Sequence, residues 1–192
     1  MDEALFTGRL MSGERILWTG RPAVGVLFTS RDFFMVPFSL FFLGFSIFWM
    51  AGATAATSAA SASGRGFDIF FPLFGVPFIL AGLFFTMGRF AADAWLRGRT
   101  AYALTNRRIL ISRAGPFSSF TALPLGQLPD VRLSEDGRGR GTIRFGAAAS
   151  LWNNRSMAVW MPSLDPTPQF LAIDGVRSVF DRIQELNSKP GG

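Results

Sequence analysis

Alternating glycine and arginine residues form the segment of this 192-residue chain whose composition is closest to a ligand-binding loop. The run EDGRGRG covers Glu135 to Gly141, and such a run could hold a phosphate with its backbone N–H groups or contact RNA with its guanidinium groups. A dinucleotide-binding loop must follow a strand and open a helix. This run leads instead into a predicted strand at Thr142–Phe145, so we interpret it as a flexible hairpin loop.

Acidic residues beside this loop could serve acid–base chemistry. Asp130, Glu135 and Asp136 fall in or next to a predicted exposed loop, where solubilising charge is the simpler role. The chain has no His and no Cys, so the usual ligands of metal sites and the usual partners of nucleophiles are missing. We therefore expect no catalytic residue, no metal site and no cofactor, and we expect a protein that is not an enzyme.

Two long apolar stretches divide the chain and place its remaining segments relative to a membrane. Residues 33–51 and 69–88 contain no charged residue. At about 1.5 Å per residue each stretch reaches roughly 30 Å, the thickness of a hydrocarbon core. The sequence therefore predicts an N-terminal segment at 1–32, a transmembrane hairpin at 33–88 and a C-terminal domain at 89–192.

Arginine placement predicts the orientation of this hairpin. Four arginines precede the first stretch and five closely follow the second: Arg9, Arg15, Arg21 and Arg31, then Arg89, Arg97, Arg99, Arg107 and Arg108. The connector, roughly Gly52 to Phe67, has only Arg65. By the positive-inside rule both termini are predicted in the cytoplasm. The net charge of +6 lies entirely after the second stretch, where attraction to anionic lipid explains it more economically than nucleic acid does.

Prolines interrupt the second apolar stretch. Pro72 and Pro77, with Gly75 between them, predict a bent or locally irregular helix. A pore or transport role is one interpretation of such a helix. A kinked helix in a two-helix hairpin is the simpler one, because no charged residue lies within either stretch.

From Thr100 onward the pattern changes to short apolar runs separated by turn residues, which is typical of strands. The predicted strands are 100–104, 108–112, 117–123, 131–134, 142–145, 157–161 and 169–173. Asn106 suits a positive φ in the first tight turn. A terminal helix is predicted from about Gly175 to Asn187, with Asp174 as its N-cap and one apolar stripe against the sheet. The pattern predicts an α+β, mainly antiparallel fold closed by this helix.

The N-terminal segment also carries a strand pattern. Arg15 to Trp18 alternates apolar and polar residues, and Pro22 follows closely enough to end the strand. We hypothesise that this piece returns to the sheet as an edge strand, so that the apolar stretches are inserted between parts of one folded unit.

Several segments together resemble a family of bacterial membrane proteins that carry a pleckstrin-homology-like (PH-like) domain. They are GERILWTGRP at 13–22, TAYALTNRRILIS at 100–112, GTIRF at 141–145 and FLAIDGVRSVFDRI at 170–183. The resemblance implies a partly open seven-strand barrel capped by the C-terminal helix, at the cytoplasmic face of the inner membrane. It also implies that Arg107 and Arg108, with Arg113 on the following strand, contact an anionic lipid headgroup; a solvated turn is the alternative.

These observations favour a membrane-tethered, non-enzymatic interaction or scaffolding module. Its expected partners are the lipid bilayer, anionic headgroups and a membrane or cytoplasmic protein, with self-association allowed by an exposed sheet edge. Nucleic acid is disfavoured, since the basic residues are not interleaved with aromatic ones. The alternative function is an accessory subunit of a transporter or membrane enzyme that contacts its partner through the hairpin.

Overall fold

The computed structural model describes residues 3–62, 70–116, 118–128, 130–137, 139–146 and 160–188. The chain divides into two compact units, one made of Met1–Gly25 with Asp93–Gly192 and the other of Val26–Ala92. The larger unit thus joins the N-terminal segment to the C-terminal part of the sequence.

The smaller unit consists of apolar helices. Helix α2 covers Asp32–Ala62, and α3 (Phe70–Leu73), α4 (Val76–Leu83), a π-helical turn (Phe84–Gly88) and the start of α5 (Arg89–Arg97) follow it. The helices at Asp32–Ala59 and Val76–Arg97 are long and apolar enough to cross a membrane, judged by length and composition. Many of their large apolar side chains are exposed, and Phe33 is 89% exposed.

Pro72 and Pro77, with Gly75 between them, interrupt the second apolar stretch as the sequence predicted. Helix α3 ends at Leu73 and α4 begins at Val76, so the second apolar stretch is interrupted between Pro72 and Pro77. Gly82 then allows close packing, since a Cβ atom there would lie 3.0 Å from Leu43. A buried ion pair joins Arg89 to Asp32, with 2.6 Å between Nη1 and Oδ1.

A four-stranded antiparallel sheet, sheet A, organises the larger unit. Its strands are β1 (Ile16–Gly20), β2 (Thr100–Thr105), β3 (Arg108–Arg113) and β4 (Ser119–Pro124), in the order β1-β2-β3-β4. The N-terminal strand β1 is an edge strand that pairs with β2, for example Thr19 with Ala103. The sequence hypothesis for residues 15–18 agrees with this pairing.

Sheet B contains the remaining strands, β5 (Val131–Glu135), β6 (Arg140–Phe145) and β7 (Gln169–Asp174), in that order and antiparallel. Strand β7 carries a bulge, where Ala172 has a φ of 49° and the register with β6 shifts. The bulge changes the alternation of side chains. Phe170 and Ile173, three residues apart, consequently both enter the core.

The core lies between the two sheets and helix α6 (Val176–Ser188). Its buried members are Tyr102, Leu104, Ile109, Ile111, Ile143, Phe145, Phe170, Ile173, Val176, Val179 and Ile183. Helix α6 contributes residues at helical spacing, as the apolar stripe in the sequence predicted. A smaller cluster covers the opposite face of sheet A, where Phe6 from helix α1 (Ala4–Thr7) packs against Ala103 and Leu110.

Most predicted strands and the terminal helix match within one or two residues, so the α+β, antiparallel class is confirmed. The described strands form separate sheets of four and three strands rather than a closed barrel. Most of the predicted strand at 157–161 lies outside the described residues; Trp160 is in a turn and Met161 lies outside any strand.

Two local predictions were wrong. Asn106 has no positive φ; its side chain instead accepts a hydrogen bond from the Arg15 N–H at 2.8 Å, which holds the turn against the N-terminal segment. Asp174 does not cap α6, because Gly175 lies between them with a φ of 61°. The Asp174 carboxylate accepts a hydrogen bond from Arg140 Nε instead, at 3.1 Å.

Candidate functional site

The face of sheet A that carries the core changes from apolar to polar along its strands. Strand register sets its side chains in three rows: Leu104, Ile109 and Leu123, then Tyr102, Ile111 and Thr121, then Thr100, Arg113 and Ser119. Residues at every second position point to the same face of a sheet. The first row therefore belongs to the core, and the third brings a guanidinium and two hydroxyls to the other end of the same face.

A cavity of about 260 Å³ lies at this polar end. The second and third rows form one side, and the segment Ser163–Gln169, which begins in the 3₁₀-helix Pro162–Leu164, forms another. We call it the polar cavity. It lies entirely within the larger unit, and its deep side adjoins the apolar core.

Asp93 and Arg97 hold the covering segment in place. The Asp93 carboxylate accepts hydrogen bonds from the Ser163 N–H at 2.9 Å and the Ser163 hydroxyl at 2.6 Å, while its other oxygen accepts from Arg97 Nε at 2.8 Å. Arg97 also donates to the carbonyls of Ala23 and Gly25. Both charged side chains are almost completely buried, so this wall of the cavity is rigidly held.

Arg113 is the cavity cation with the fewest interactions. Its Nη2 donates to the Ser163 carbonyl. Its Nε atom is buried, and no hydrogen-bond partner for it exists among the described residues. No carboxylate in that part of the chain forms an ion pair with Arg113. A buried guanidinium N–H without an acceptor carries a desolvation cost.

Tyr102 offers a second donor. It is the only tyrosine in the chain, and its ring packs on Phe170 with 4.7 Å between centroids. Its oxygen accepts the Leu171 N–H at 3.1 Å. Across the described ranges no acceptor takes the hydroxyl proton. Burial raises the pKa of Tyr102 to about 12, so the phenol is a neutral donor at physiological pH.

Acceptors around the cavity are largely occupied. Asp165 accepts the Thr167 N–H at 2.9 Å, and the Gln169 side-chain oxygen accepts from Arg144 Nε at 3.1 Å. The hydroxyls of Ser119 and Thr121 have no partner within the described part of the chain. The cavity therefore contains donors from Arg113, Tyr102, Ser119 and Thr121 that no acceptor among the described residues takes.

The three arginines predicted from the family resemblance do not lie together. Arg107 is exposed in the β2–β3 turn, and Arg108 begins β3. Arg113 ends β3, roughly 17 Å away at about 3.3 Å per residue. The headgroup assignment remains a prediction, but the structure separates Arg113, which lines the polar cavity, from the pair at the turn.

Arg108 forms a buried ion pair with Glu14. The guanidinium donates from Nε and Nη2 to the two carboxylate oxygens of Glu14, each at 2.9 Å. The Thr105 hydroxyl and the Met11 N–H also donate to this carboxylate, at 2.8 and 2.7 Å. Burial alone would raise the pKa of Glu14, but these hydrogen bonds outweigh it and lower the pKa from 4.5 to about 2. The same ion pair raises the pKa of Arg108.

The other candidate groups form contacts within the fold or lie at its surface. Asp130 pairs with Arg132 at 2.8 Å with both side chains exposed, and the Asp136 carboxylate accepts the Arg140 N–H at 2.9 Å. The run at 137–141 connects β5 to β6, as the hairpin-loop interpretation predicted, but Arg140 and Gly141 already belong to strand β6. Its Arg138 lies outside the described residues. Among those residues no group of three acidic side chains could hold a metal ion.

Sequence reasoning missed the polar cavity. Asp93 and Arg97 are four residues apart, the spacing of a helical ion pair, but nothing in the sequence relates them to Ser163. Ser119 and Thr121 were visible only as part of a predicted strand. Which face of the sheet they occupy, and which residues lie opposite them, depends on a register that the sequence does not show.

No protein-family model, no curated protein and no solved structure matches the chain.

Proposed function

We propose that the protein is a membrane-tethered, PH-like interaction or scaffolding module at the cytoplasmic face of the inner membrane, and that it acts without catalysis. The observation that carries this proposal is the pairing of β1 with β2. Those strands precede and follow the two apolar helices, so the apolar unit is an insertion in one sheet.

This connectivity supports a hairpin with both ends on one side of the bilayer. The chain leaves sheet A after Gly20 and re-enters it at Thr100, and β1 and β2 can pair only if they lie on the same side. The arginine bias around the helices makes that side cytoplasmic.

The PH-like assignment has architectural support. Antiparallel sheets of four and three strands, followed by a C-terminal helix on the core, match the order of elements that the sequence resemblance implies. In this arrangement the apolar hairpin occupies the connection between the first and second strands. The Arg107–Arg108 turn then follows the second strand rather than the first.

Tethering to the membrane is the mechanism by which weak contacts become effective. A domain held within a few nanometres of the bilayer meets headgroups and membrane partners at an effective concentration in the millimolar range. Arg107 is exposed and is the residue of the predicted headgroup set best placed for such weak contacts, because Arg108 is bound to Glu14.

Labelling of single cysteines tests the topology directly, since the chain has no cysteine of its own. Ser58→Cys lies in the last part of α2, which belongs to the connector, and Gln184→Cys lies on an exposed face of α6. In intact cells we expect a membrane-impermeant maleimide to label the first variant only, and to label both after permeabilisation. Labelling of Gln184→Cys in intact cells would refute the proposed orientation.

An apolar groove in the helical unit favours the second candidate, an accessory subunit that contacts a larger membrane protein through the hairpin. The groove has a volume of about 320 Å³ and is lined by Phe42, Phe45, Ser46, Trp49, Phe74 and Phe78. Replacing residues 26–92 with an unrelated two-helix hairpin separates the candidates. A tethered module keeps its partner interactions after the exchange, and an accessory subunit loses them.

A further inference from the structure

We propose that the polar cavity binds a small molecule through a phosphate group, with Arg113 and Tyr102 as its principal donors. The inference concerns residues of one compact unit. It holds whether or not the apolar helices cross a bilayer.

The Arg113 guanidinium has a buried donor without an acceptor. Its Nε is buried without a hydrogen-bond partner among the described residues, although one arm of the guanidinium is bound to the Ser163 carbonyl. The neighbouring acids form no ion pair with it among the described residues: Asp93 is engaged by Arg97 and Ser163, and Asp165 accepts the Thr167 N–H. An oxyanion beside Nε would relieve this cost with a charge-assisted hydrogen bond.

Neutral hydroxyl donors converge on the same cavity. Three hydroxyl groups line the cavity, those of Tyr102, Ser119 and Thr121. None of their protons has an acceptor in the described part of the chain. Register brings them together, since Arg113 is opposite Ser119 and Tyr102 and Thr121 flank Ile111. Several donors arriving from neighbouring strands suit the multiple acceptor oxygens of a phosphate better than the two of a carboxylate.

Cavity size limits the ligand. A volume of about 260 Å³ corresponds to roughly eight water molecules at about 30 Å³ each, and lies below the usual range for drug-sized ligands. The site therefore takes a phosphate group with a short organic portion. Asp165, the acid that lines the cavity, accepts the Thr167 N–H at 2.9 Å and would disfavour a ligand with a second negative group beside it.

The phosphate could belong to a free metabolite or to a lipid headgroup, and one probe distinguishes them. Because Tyr102 is the only tyrosine, full-length protein made with 3-fluorotyrosine has one ¹⁹F resonance that reports on this cavity. In dodecyl maltoside micelles, which contain no phosphate, we expect inorganic phosphate to shift that resonance saturably, with ionic strength held constant by chloride. A lipid ligand would instead shift it in nanodiscs of phosphatidylglycerol without added phosphate.

Variants test whether either ¹⁹F shift arises from binding in the polar cavity. Arg113→Gln should weaken phosphate binding by about tenfold or more, the usual effect of losing a charged hydrogen bond. Arg132→Gln, which alters an exposed ion pair on β5, is the matched control and should change nothing. Because Arg113 also holds Ser163, Thr121→Val serves as a second test that removes only a hydroxyl, and we expect binding several-fold weaker.

A Kd of about 1 mM would saturate the site at about 100 mM phosphate. The proposal is overturned if neither phosphate at that concentration nor the anionic nanodisc shifts the resonance. It is equally overturned if the shift in Arg113→Gln and Thr121→Val matches that of the unaltered protein.

Discussion

The ion pair between Glu14 and Arg108 should contribute measurably to the stability of sheet A. Glu14 precedes β1 and Arg108 begins β3, so the pair ties the N-terminal segment to the sheet across 94 positions of sequence. The Glu14 side chain is fully buried and the Arg108 side chain is 13% exposed. Glu14→Gln keeps the shape of the side chain and removes its charge, which makes it the appropriate perturbation.

The pKa of Glu14 sets the size of the expected loss of stability. A fall from 4.5 to about 2, at 1.36 kcal/mol for each pH unit, corresponds to about 3 kcal/mol of stability at pH 7. Leaving Arg108 without its partner in a partly buried position costs a similar amount, about 3 to 5 kcal/mol for buried pairs. We therefore expect Glu14→Gln to destabilise sheet A by about 3 kcal/mol at pH 7.

Acid should remove this difference. The folded-state pKa is below the unfolded value, so the stabilisation is fully present above about pH 5 and is lost as the pH falls toward 2. At pH 2 the carboxyl is almost fully protonated in the unfolded state and about half protonated in the folded state, so little of the stabilisation is left. The unaltered protein and Glu14→Gln should then have nearly equal stability.

Hydrogen exchange of amides in β1 and β2 measures the opening free energy of the sheet itself. The full-length protein in micelles is followed at pH 7, 5 and 3, with correction for intrinsic exchange rates. Asp130→Asn, which alters an exposed ion pair, is the control and should change the free energy by less than about 0.5 kcal/mol. A loss below about 1 kcal/mol for Glu14→Gln at pH 7, or an undiminished difference at pH 3, would refute the ionic account.

Single side chains elsewhere in the larger unit give three more predictions. Alkaline titration of Tyr102 by absorbance should show the phenolate forming near pH 12, and stability should fall above pH 10 because the unfolded chain loses that proton first. Asp93→Asn should cost about 3 kcal/mol by leaving Arg97 buried without its carboxylate, and should speed hydrogen exchange of the Ser163 segment. Ile183→Ala should lower the free energy of unfolding in urea by about 2 to 5 kcal/mol, since Ile183 is 0% exposed. The control is Gln184→Ala at the exposed neighbouring position, which should change that free energy by less than about 0.5 kcal/mol.

Elements defined by local periodicity were predictable. Strand β3 was predicted at 108–112 and is observed at Arg108–Arg113, and the terminal helix was predicted at 175–187 and is observed at Val176–Ser188. Local propensity and side-chain alternation decide such elements, and both are properties of neighbouring residues. The interruption of the second apolar stretch was likewise predictable, because Pro72, Gly75 and Pro77 follow one another closely and each disfavours a continuous helix there.

Turn and cap details were less predictable, because tertiary partners compete for the same polar groups. Asn106 suited a left-handed turn by its type, but its side chain binds the Arg15 N–H instead. Asp174 suited an N-cap, but its carboxylate pairs with Arg140. The bulge at Ala172 left no sequence signal, since an alanine at a φ of 49° contradicts its own preference.

The sequence by itself determined the apolar helices, the strand segments, the terminal helix and the concentration of positive charge after the second helix. Tertiary structure alone decided which polar groups meet across the fold: Glu14 with Arg108, Asp93 with Ser163, and Arg113 with no carboxylate among the described residues. The physical reason is the distance along the sequence over which each kind of interaction acts. Periodicity and propensity act over a few residues, whereas a cavity or a buried ion pair depends on strand order and register, which join residues about 70 to 90 positions apart.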